Sequence, residues 1–484
     1  MLQLSNPKLF REACLVDGAW ATAASGETMA VHNPADGSLV GRVPQLSGQE
    51  IEAAIAAANA AYRPWAAKAA SERAKVLEKW YDLVVASADD LARILTTEQG
   101  KPLAEAKGEI LYAASFLKWF SEEARRVYGD VIPAPTADKR LFVIKQPVGV
   151  CAAITPWNFP AAMITRKAGP ALAAGCAMIV RPAAQTPFSA LALAELAVEA
   201  GVPAGVFQVV TGKSREIGAV LTASDTVRKL SFTGSTEVGR QLMAQCAPTI
   251  KRISLELGGN APFIVFDDAD LDAAIAGAIA SKYRNAGQTC VCANRLYVQS
   301  GIHDAFAARL AEAVAQMPIG RGDAPGVLIG PMIDAKAVEK VESHIADALA
   351  KGAKLLLGGK RHALGGSFFE PTILSGVTQA MRVAKEETFG PLAPIFRFDT
   401  EEEVVAAAND TEYGLAAYFY TESVRRAWRV AEALEYGLIG HNTGLVSNEV
   451  APFGGVKQSG IGREGSKYGM EEYLEIKYIC SQIG

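Results

Sequence analysis

Short apolar runs separated by helical segments constrain the fold of this chain more than any other feature. The apolar runs occupy residues 148–155, 176–180, 206–210 and 229–232, and helical stretches at 161–174 and 187–200 lie among them. Strands that are apolar throughout are buried on both faces, and their alternation with helices is typical of a parallel sheet. The sequence therefore predicts an α/β fold here, with helices on both faces of the sheet.

A second strand–helix series begins at residues 261–266 and continues to about residue 440. With 484 residues the chain exceeds the size of one ordinary core, so two or three domains are expected. The glycines at positions 258 and 259 are the expected hinge between two α/β units. Amphipathic helices are predicted before the first unit, over residues 71–128.

Composition and charge exclude several classes of function. The formal net charge is −4, so no basic excess is present for binding nucleic acid or an anionic membrane. No apolar run approaches the roughly 20 residues of a membrane span, and the first twelve residues lack a signal-peptide layout, so we expect a cytoplasmic protein. Seven cysteines without framework spacing fit free thiols, and five scattered histidines predict no metal site.

Residues 285–295 contain two cysteines, Cys290 and Cys292, close to the end of a predicted helix. A thiol reacts as its thiolate, so a nucleophilic cysteine needs a base or a lowered pKa. The stretch has no histidine, but Glu256 lies 34 positions before Cys290, in an alternating segment that ends in two glycines. The pattern favours covalent thiol catalysis by Cys290 with Glu256 as base. A small buried thiol is the alternative, and the pattern gives no reason to prefer catalysis for Cys292.

The segment 232–239 indicates a nucleotide site, because it follows a strand and opens a helix. Its glycines, Gly234 and Gly239, have the spacing G-x-x-x-x-G, which differs from the dinucleotide fingerprint, so tight strand–helix packing is an equal alternative. Arg181 ends the strand at 176–180, where ligands bind in open α/β sheets. Because Ala184 nearby is uncharged, a guanidinium without a carboxylate favours a 2′-phosphate, and thus NADP over NAD.

Six motifs then show a resemblance to the aldehyde dehydrogenase superfamily over essentially the whole chain. They lie in family order at residues 155–160, 232–239, 255–260, 287–290, 386–391 and 452–457. Residues 163–169, 284–292 and 462–469 are most similar to the succinate-semialdehyde dehydrogenase branch and its glutarate-semialdehyde relatives. The resemblance implies oxidation of a semialdehyde, most of all succinate semialdehyde, with NADP or NAD as cofactor.

The fold implied by this resemblance has two Rossmann-like parallel α/β domains and a small β oligomerisation domain. Its expected divisions are a dinucleotide-binding domain at 1–127 and 148–257, a catalytic domain at 258–440, oligomerisation strands at 128–147 and 470–484, and an active-site loop region at 441–469. Residues 139–147 and 473–480 alternate without a partner in either α/β unit, and such unpaired edges favour a second chain. A homodimer or homotetramer is expected.

The resemblance also implies roles for individual residues. Cys290 would attack the aldehyde carbon, the Asn158 amide and the Cys290 backbone N–H would hold the oxyanion, and hydride transfer would leave a thioester. Glu256 would activate the water that hydrolyses this thioester. The positions matched to cofactor contacts are Thr155, Trp157, Arg181, Ala184, Gly234, Ser235, Gly239, Leu257, Glu387 and Phe389.

The substrate carboxylate needs a polar partner, because a bare apolar tunnel would desolvate it at high cost. Arg166 and Arg284 match the family positions that clamp it, and Ser447 lies in the neighbouring loop. An ordinary salt bridge is the alternative for either arginine. Two residues depart from the pattern: Arg181 replaces the usual lysine, and His441 replaces an apolar residue and is expected to be structural.

Three further hypotheses remain open from the sequence. Cys292 is close enough in sequence to Cys290 for a disulfide that would silence the nucleophile on oxidation, with a bystander thiol as the alternative. A cofactor-independent thiol esterase would use the same cysteine and glutamate, and a non-enzymatic protein of this fold would use neither.

Overall fold

The computed structural model describes residues 3–484 and contains two large β-sheets surrounded by helices. Its strands are β1 (Cys14–Val16), β2 (Ala19–Ala21), β3 (Thr28–His32), β4 (Leu39–Pro44), β5 (Asp130–Ile132), β6 (Lys139–Pro147), β7 (Val150–Ile154), β8 (Ala177–Arg181), β9 (Phe207–Val209), β10 (Val227–Thr233), β11 (Arg252–Glu256), β12 (Ala261–Val265), β13 (Ala293–Gln299), β14 (Lys354–Leu357), β15 (Thr372–Ser375), β16 (Leu392–Phe398), β17 (Ala416–Tyr420), β18 (Leu438–His441), β19 (Gly460–Ile461) and β20 (Leu474–Gln482).

The α-helices follow the amphipathic and apolar segments of the sequence. They are α1 (Gly48–Ala66), α2 (Ala70–Ala86), α3 (Ala88–Gln99), α4 (Leu103–Glu123), α5 (Ala162–Ala174), α6 (Pro187–Ala200), α7 (Ser214–Ala223), α8 (Thr236–Cys246), α9 (Leu271–Lys282), α10 (His303–Ala315), α11 (Ala335–Ala350), α12 (Glu401–Asn409), α13 (Val424–Ala433) and α14 (Ser466–Glu471). Ser47 and Glu50 form a capping box at the start of α1. Within residues 3–484, no helix is long and apolar enough to cross a membrane.

The first large sheet has the order β19-β11-β10-β7-β8-β9-β1-β2. Strands β7 to β11 pair in parallel, whereas β1, β2 and β19 join the sheet antiparallel. Every residue of β7, β8 and β9 is buried, and so is every residue of α5, which connects β7 to β8. The apolar runs in the sequence thus form the centre of a covered parallel sheet, as predicted.

The second large sheet has the order β14-β15-β16-β13-β12-β17-β18. All its neighbouring strands are parallel except the edge strand β14. A separate apolar core surrounds this sheet, while two clusters pack on the faces of the first. The expectation of two parallel α/β units is therefore confirmed.

A smaller sheet with the order β20-β6-β5 combines segments that are far apart in sequence. β6 and β20 pair antiparallel over nine positions, from Pro147 opposite Leu474 to Lys139 opposite Gln482. Neither strand was expected to pair within the α/β units. The structure pairs them with each other, and both have nine residues that match along their whole length. The outer edges of β5 and β20 remain free within the described chain.

The large sheets present opposite edges to a shared cleft. In the first sheet, the loops that follow β7, β10 and β11 reach the cleft, which is the carboxyl edge of that sheet. In the second sheet, the cleft is formed by loops that precede β12, β13 and β16, which is the amino edge. The site therefore lies between the end of one set of strands and the start of another.

Candidate active site

The cleft has a volume of about 380 Å³ and brings together most of the predicted site residues. Its lining includes Trp157, Asn158, Gly234, Ser235, Glu256, Leu257, Cys290, Glu387 and Phe389. Glu256 and Cys290 thus share one cleft although they belong to different sheets. Such a concave, largely apolar cavity with a few convergent polar groups is the usual form of a small-molecule site.

Cys290 is held at the cleft by an unusual backbone segment. Helix α9 ends at Lys282, so the cysteine lies eight residues beyond the helix rather than at its end. Asn285 and Ala286 have positive φ angles of 51° and 53°, a conformation that non-glycine residues seldom adopt. Gly287 also has positive φ, and a Cβ there would overlap the carbonyl of Gly390. This tightly turned segment places Cys290 partly exposed in the cleft.

Burial raises the pKa of the Cys290 thiol to about 12, and Glu387 and Glu256 act in the same direction. Arg166 and Arg284 oppose this increase but do not cancel it. The cysteine is therefore a thiol at neutral pH in the structure described, and its attack on a carbonyl requires a group that accepts the proton.

Glu256 is the last residue of β11 and is buried at the cleft. Its Oε2 has no hydrogen-bond partner among the described residues, so this oxygen is free to accept a proton. Burial first, and then the charge of Glu464, raises the pKa of Glu256 well above its usual value. Gly454, in the 452–457 motif, packs closely here, since an added Cβ would lie 2.6 Å from the Gly462 carbonyl oxygen and 2.9 Å from Glu256 Oε1.

Asn158 lies in the loop after β7, and its side-chain Nδ2 donates to the Gln288 carbonyl at 3.0 Å. Its own backbone carbonyl accepts from Lys101 Nζ at 2.7 Å and from Asn285 Nδ2 at 3.1 Å. These bonds connect the predicted oxyanion donor to the turn that carries Cys290. Asn158 is thereby anchored to the segment that leads to Cys290.

Lys101 is fixed by a buried ion pair that the sequence did not reveal. Its Nζ lies 2.6 Å from Glu109 Oε2, and both side chains are 1% exposed. Glu109 Oε1 accepts from the backbone N–H groups of Ala161 and Ala162, which lead into α5. The helices before the first α/β unit therefore position catalytic loops. Lys101 lies between a glycine and a proline, where no hydrophobic periodicity could have predicted that its side chain is buried.

Residues predicted to contact the cofactor fall into two groups. Trp157 packs edge-on against Phe389 with ring centroids 5.6 Å apart, and Phe389 has a positive φ of 57°. Glu387 Oε1 accepts from the Gly259 N–H at 3.0 Å, and burial raises the Glu387 pKa to about 7. These residues line the cleft together with Gly234, Ser235 and Leu257.

The second group, Thr155, Arg181, Ala184 and Gly239, does not line this cleft. Gly239 packs against Leu257, whose Cδ2 would lie 2.5 Å from an added Cβ, so close strand–helix packing requires this glycine. Of the two alternatives for the glycine motif, packing thus accounts for Gly239, while Gly234 lies at the cleft. The Thr155 N–H donates to the Arg181 carbonyl at 3.1 Å, and Ala184 is partly exposed.

Arg181 is buried at the end of β8, where its Nη2 donates to the Ser214 hydroxyl. Its Nε has no partner among the described residues, and burial alone lowers the Arg181 pKa to about 10. A buried guanidinium that lacks a carboxylate partner is suited to an anionic ligand. Lys336 and Lys340 also line the cleft, but exposed helical lysines carried no signal in the sequence.

A narrow cavity of about 20 Å³ continues from Cys290 and contains the predicted substrate residues. Arg166, Arg284 and Ser447 all line it. The Arg166 guanidinium lies 4.0 Å from the Phe453 ring centroid, and that of Arg284 lies 5.1 Å from the Phe159 ring centroid. Both arginines thus meet in one cavity beside the nucleophile.

The salt-bridge alternative applies in part to Arg166. Its Nε lies 2.6 Å from Glu464 Oε2, and Lys167 contacts the other oxygen of the same carboxylate. Its Nη2, however, is buried without a hydrogen-bond partner in the described chain. Arg284 makes no ion pair within residues 3–484. One guanidinium is therefore already paired with a carboxylate, and the other has no ion-pair partner among the described residues.

Cys292 and His441 lie outside this chemistry. The Cys292 thiol is fully buried and lines neither cavity, and its Sγ accepts from Lys282 Nζ at 3.2 Å. His441 stacks on Phe419 with centroids 4.9 Å apart, and its Nε2 lies 3.1 Å from the Thr421 carbonyl oxygen. No group of three or more potential metal ligands occurs in the described part of the chain.

The known proteins that this chain resembles in sequence and in fold belong to one family. The model of the aldehyde dehydrogenase family matches residues 20–479. A glutarate-semialdehyde dehydrogenase of Pseudomonas aeruginosa and an NADP(+) succinate-semialdehyde dehydrogenase of Escherichia coli are each 66% identical over 479 residues, covering 99% of both chains. The crystal structure of an aldehyde dehydrogenase from Brucella melitensis biovar abortus 2308 has a TM-score of 0.99 at 71% identity and covers 100% of both chains. The chain belongs to the aldehyde dehydrogenase family.

Proposed function

We propose that this protein oxidises a short aldehyde carrying a terminal carboxylate, foremost succinate semialdehyde, to the corresponding dicarboxylic acid, with NADP preferred over NAD. The observation that carries the proposal is the pair Arg166 and Arg284 in the cavity beside Cys290. Two semialdehyde dehydrogenases at 66% identity support the same substrate class. Glutarate semialdehyde is the alternative, because one methylene changes binding by only about 1–3 kcal/mol.

The catalytic steps follow from the chemistry of the residues in the cleft. Cys290 attacks the aldehyde carbon, and Glu256 accepts the thiol proton, since its Oε2 is free and its raised pKa makes it a stronger base. The Asn158 amide and the Cys290 N–H donate to the oxyanion of the tetrahedral adduct. Loss of hydride leaves an acyl thioester on Cys290. Glu256 then releases the thiol proton to solvent at the cleft and takes a proton from the water that hydrolyses the thioester.

A nicotinamide dinucleotide fits the larger cleft. Gly234 and Ser235 lie where β10 meets the start of α8, whose N–H groups suit a phosphate, and Glu387 offers a carboxylate to a ribose hydroxyl. Arg181 and Ser214 at the next strand ends supply donors without a competing carboxylate, which suits a 2′-phosphate. When bound, the cofactor supplies the acceptor for the hydride.

Steady-state kinetics tests the proposal. The absorbance of reduced nicotinamide is followed with succinate semialdehyde, glutarate semialdehyde and butanal, each with NADP and with NAD. We expect the two semialdehydes to exceed butanal in kcat/KM by at least tenfold, because butanal lacks the carboxylate, and succinate semialdehyde with NADP to rank first. Equal kcat/KM values for butanal and the semialdehydes would contradict the substrate class.

Removal of one arginine at a time makes the same test residue-specific. Arg284→Leu should raise KM for succinate semialdehyde by about 10- to 100-fold, as expected for loss of a charge-assisted hydrogen bond, with little change for butanal. Arg309→Leu, which changes an exposed arginine paired with Asp272, is the matched control. Similar losses for the charged and neutral aldehydes would assign Arg284 to folding instead.

A cofactor-independent thiol esterase would use the same Cys290 and Glu256. That function leaves the cleft residues Glu387, Phe389 and Trp157, and the buried Arg181, without a purpose. Ester hydrolysis that exceeds aldehyde oxidation in the presence of NADP would favour it. Failure of the chain to bind any dinucleotide in calorimetry would favour a non-enzymatic role.

The division of the chain and its assembly belong to the same proposal. A dinucleotide-binding domain at 1–127 and 148–257 and a catalytic domain at 258–440 are consistent with the two large sheets. Exposed apolar residues on the three-stranded sheet, including Val131 and Ile476 at 77% and 73% exposure, favour a homodimer or homotetramer through residues 128–147 and 470–484. Light scattering coupled to size exclusion measures the mass directly.

A further inference from the structure

One polar atom in the substrate cavity has no partner and no role in the steps above. Tyr112, on helix α4, lines the cavity together with Arg166, Arg284 and Ser447. Its hydroxyl oxygen exposes less than 1 Å² and makes no hydrogen bond within residues 3–484. Burying a hydroxyl without a hydrogen bond destabilises a protein, so such groups are rare and need a reason.

The surroundings of Tyr112 explain why its side chain is fixed. Its ring packs edge-on against Phe116, with centroids 4.9 Å apart, and the Arg166 guanidinium lies 5.5 Å from that same Phe116 ring. The Tyr112 backbone carbonyl accepts from the Ser115 hydroxyl at 2.8 Å. Apolar packing therefore holds the phenol in place, and no neighbouring acceptor satisfies its hydroxyl.

The two arginines identify the chemistry of the missing acceptor. Burial raises the pKa of the Tyr112 hydroxyl overall and keeps the group a neutral donor, although Arg166 and Arg284 lie close enough for their charges to lower it. Glu464 and Glu449 act in the same direction as burial. Arg166 Nη2 is likewise buried without a partner. A donor hydroxyl and two guanidinium groups around one cavity match the lone pairs of a carboxylate, which accepts several hydrogen bonds.

We propose that Tyr112 is a specificity-determining residue that donates its phenolic O–H to the terminal carboxylate of the substrate, as a third anchor beside Arg166 and Arg284. This inference rests on the proposed semialdehyde activity. Arg166 is already paired with Glu464. A neutral hydroxyl adds a hydrogen bond to the substrate carboxylate without placing another positive charge beside the two guanidinium groups. Tyr112 thereby favours a carboxylate-bearing aldehyde over a neutral aldehyde of equal length.

Tyr112→Phe removes only the hydroxyl and keeps the packing against Phe116. We expect kcat/KM for succinate semialdehyde to fall about tenfold, chiefly through KM, as for loss of one hydrogen bond to a charged group. With butanal, which has the same number of carbons and no carboxylate, kcat/KM should change less than twofold. The melting temperature should not fall, because the lost hydroxyl has no protein partner.

Tyr62→Phe is the matched control. Tyr62 lies in helix α1, away from the cavity, and its hydroxyl donates to the Pro147 carbonyl at 3.3 Å. This variant should leave the ratio of succinate semialdehyde to butanal unchanged. If the parent protein prefers the semialdehyde but Tyr112→Phe retains that preference, the role of Tyr112 is wrong while the proposed function stands. If the parent protein does not prefer the semialdehyde, the proposed function itself is wrong.

Discussion

The two large sheets contribute to one cleft from opposite ends of their strands. In the first sheet Asn158, Arg181, Gly234 and Glu256 lie at or just beyond the carboxyl ends of β7, β8, β10 and β11, where open α/β sheets usually bind ligands. In the second sheet Gly259, Cys290 and Glu387 lie before β12, β13 and β16.

Either edge of a parallel sheet can therefore contribute to a site when a second sheet forms the opposite wall of the cleft. The carboxyl edge of the first sheet offers strand-end glycines and a helix N-terminus, which suit a phosphate-bearing cofactor. The amino edge of the second sheet offers strained turns, including the positive φ values at Asn285, Ala286 and Phe389. Strained backbone of this kind is held only by surrounding structure and is typical of functional loops.

The largest expected effects come from changing one residue at each edge, because Cys290 and Glu256 are assigned to different steps of the reaction. Cys290→Ala at the amino edge should reduce aldehyde oxidation by about 10⁴-fold or more, because no other thiol reaches the cleft. Glu256→Gln at the carboxyl edge should slow the single round of cofactor reduction, because the thiol proton loses its acceptor, and should then stall, because the thioester is not hydrolysed. Rapid-mixing absorbance at the reduced-nicotinamide band distinguishes a burst from no reaction. Full activity in Cys290→Ala would refute the assignment.

A second prediction concerns the carboxyl group of the amino edge. Burial raises the Glu387 pKa from 4.5 to about 7, so the folded protein binds a proton that the unfolded chain releases between these pH values. Stability should therefore fall as pH rises from 4.5 to 7 and stay level above, by on the order of 2 kcal/mol for this half-buried group. Glu387→Gln should remove that loss and raise the melting temperature at pH 8, with little change at pH 4.5.

Urea denaturation of the cofactor-free protein at both pH values gives the free energy of unfolding of the variant and of the parent protein, and these two values are compared. Gln keeps an acceptor for the Gly259 N–H, so the loop contact is retained. Glu422→Gln, at an exposed position, is the control and should leave the change in stability between the two pH values as large as in the parent protein. Equal stabilities of Glu387→Gln and the parent protein at pH 8 would contradict the cause given for the shift.

A third, smaller effect is expected at the carboxyl edge. Arg181→Leu should raise KM for NADP by about 10- to 100-fold, because a charge-assisted contact to the 2′-phosphate is lost, and should leave KM for NAD within about threefold. Steady-state kinetics with both cofactors gives the ratio, and the exposed Arg228→Leu serves as control. An equal loss with NAD would indicate that the β8 end supports folding only.

The smallest effect is expected at Cys292, two residues beyond the nucleophile. Cys292→Ser keeps an acceptor for Lys282 Nζ and should change kcat by less than about twofold. Because the thiol is buried against Lys282, peroxide inactivation that dithiothreitol reverses should persist in this variant. Loss of that reversibility in Cys292→Ser would instead support a disulfide with Cys290. Mass mapping of the oxidised peptides identifies the bond.

Local patterns predicted the parts of the site that depend on single segments. Residues 187–200 form helix α6 at the predicted bounds, and the apolar runs became β7 to β10, because burial on both faces leaves a continuous apolar sequence. Gly287 and the turn before Cys290 were visible as a break in helical periodicity. The family and the fold class are confirmed, while the roles of individual residues remain predictions.

The contacts between distant segments had no local signal. Lys101 reaches the Asn158 carbonyl, Glu464 is shared between Arg166 and Lys167, and Tyr112 shares a cavity with Arg284 and Ser447. Each arrangement brings together residues that are far apart in sequence. A charged residue on an amphipathic helix has the same pattern whether its partner is solvent or a buried carboxylate. Only the packing of α4 on α5, and of α5 on the first sheet, distinguishes the two.

Neighbouring residues in the sequence were enough to predict the order of strands and helices, a candidate thiol and a candidate base, because hydrophobic periodicity and turn chemistry are local properties. The folded structure was needed to show which edge of each sheet faces the cleft, which arginine has a carboxylate partner, and which cysteine is buried in the core. Those outcomes depend on burial and on charges from remote segments, and desolvation acts only once the chain has folded.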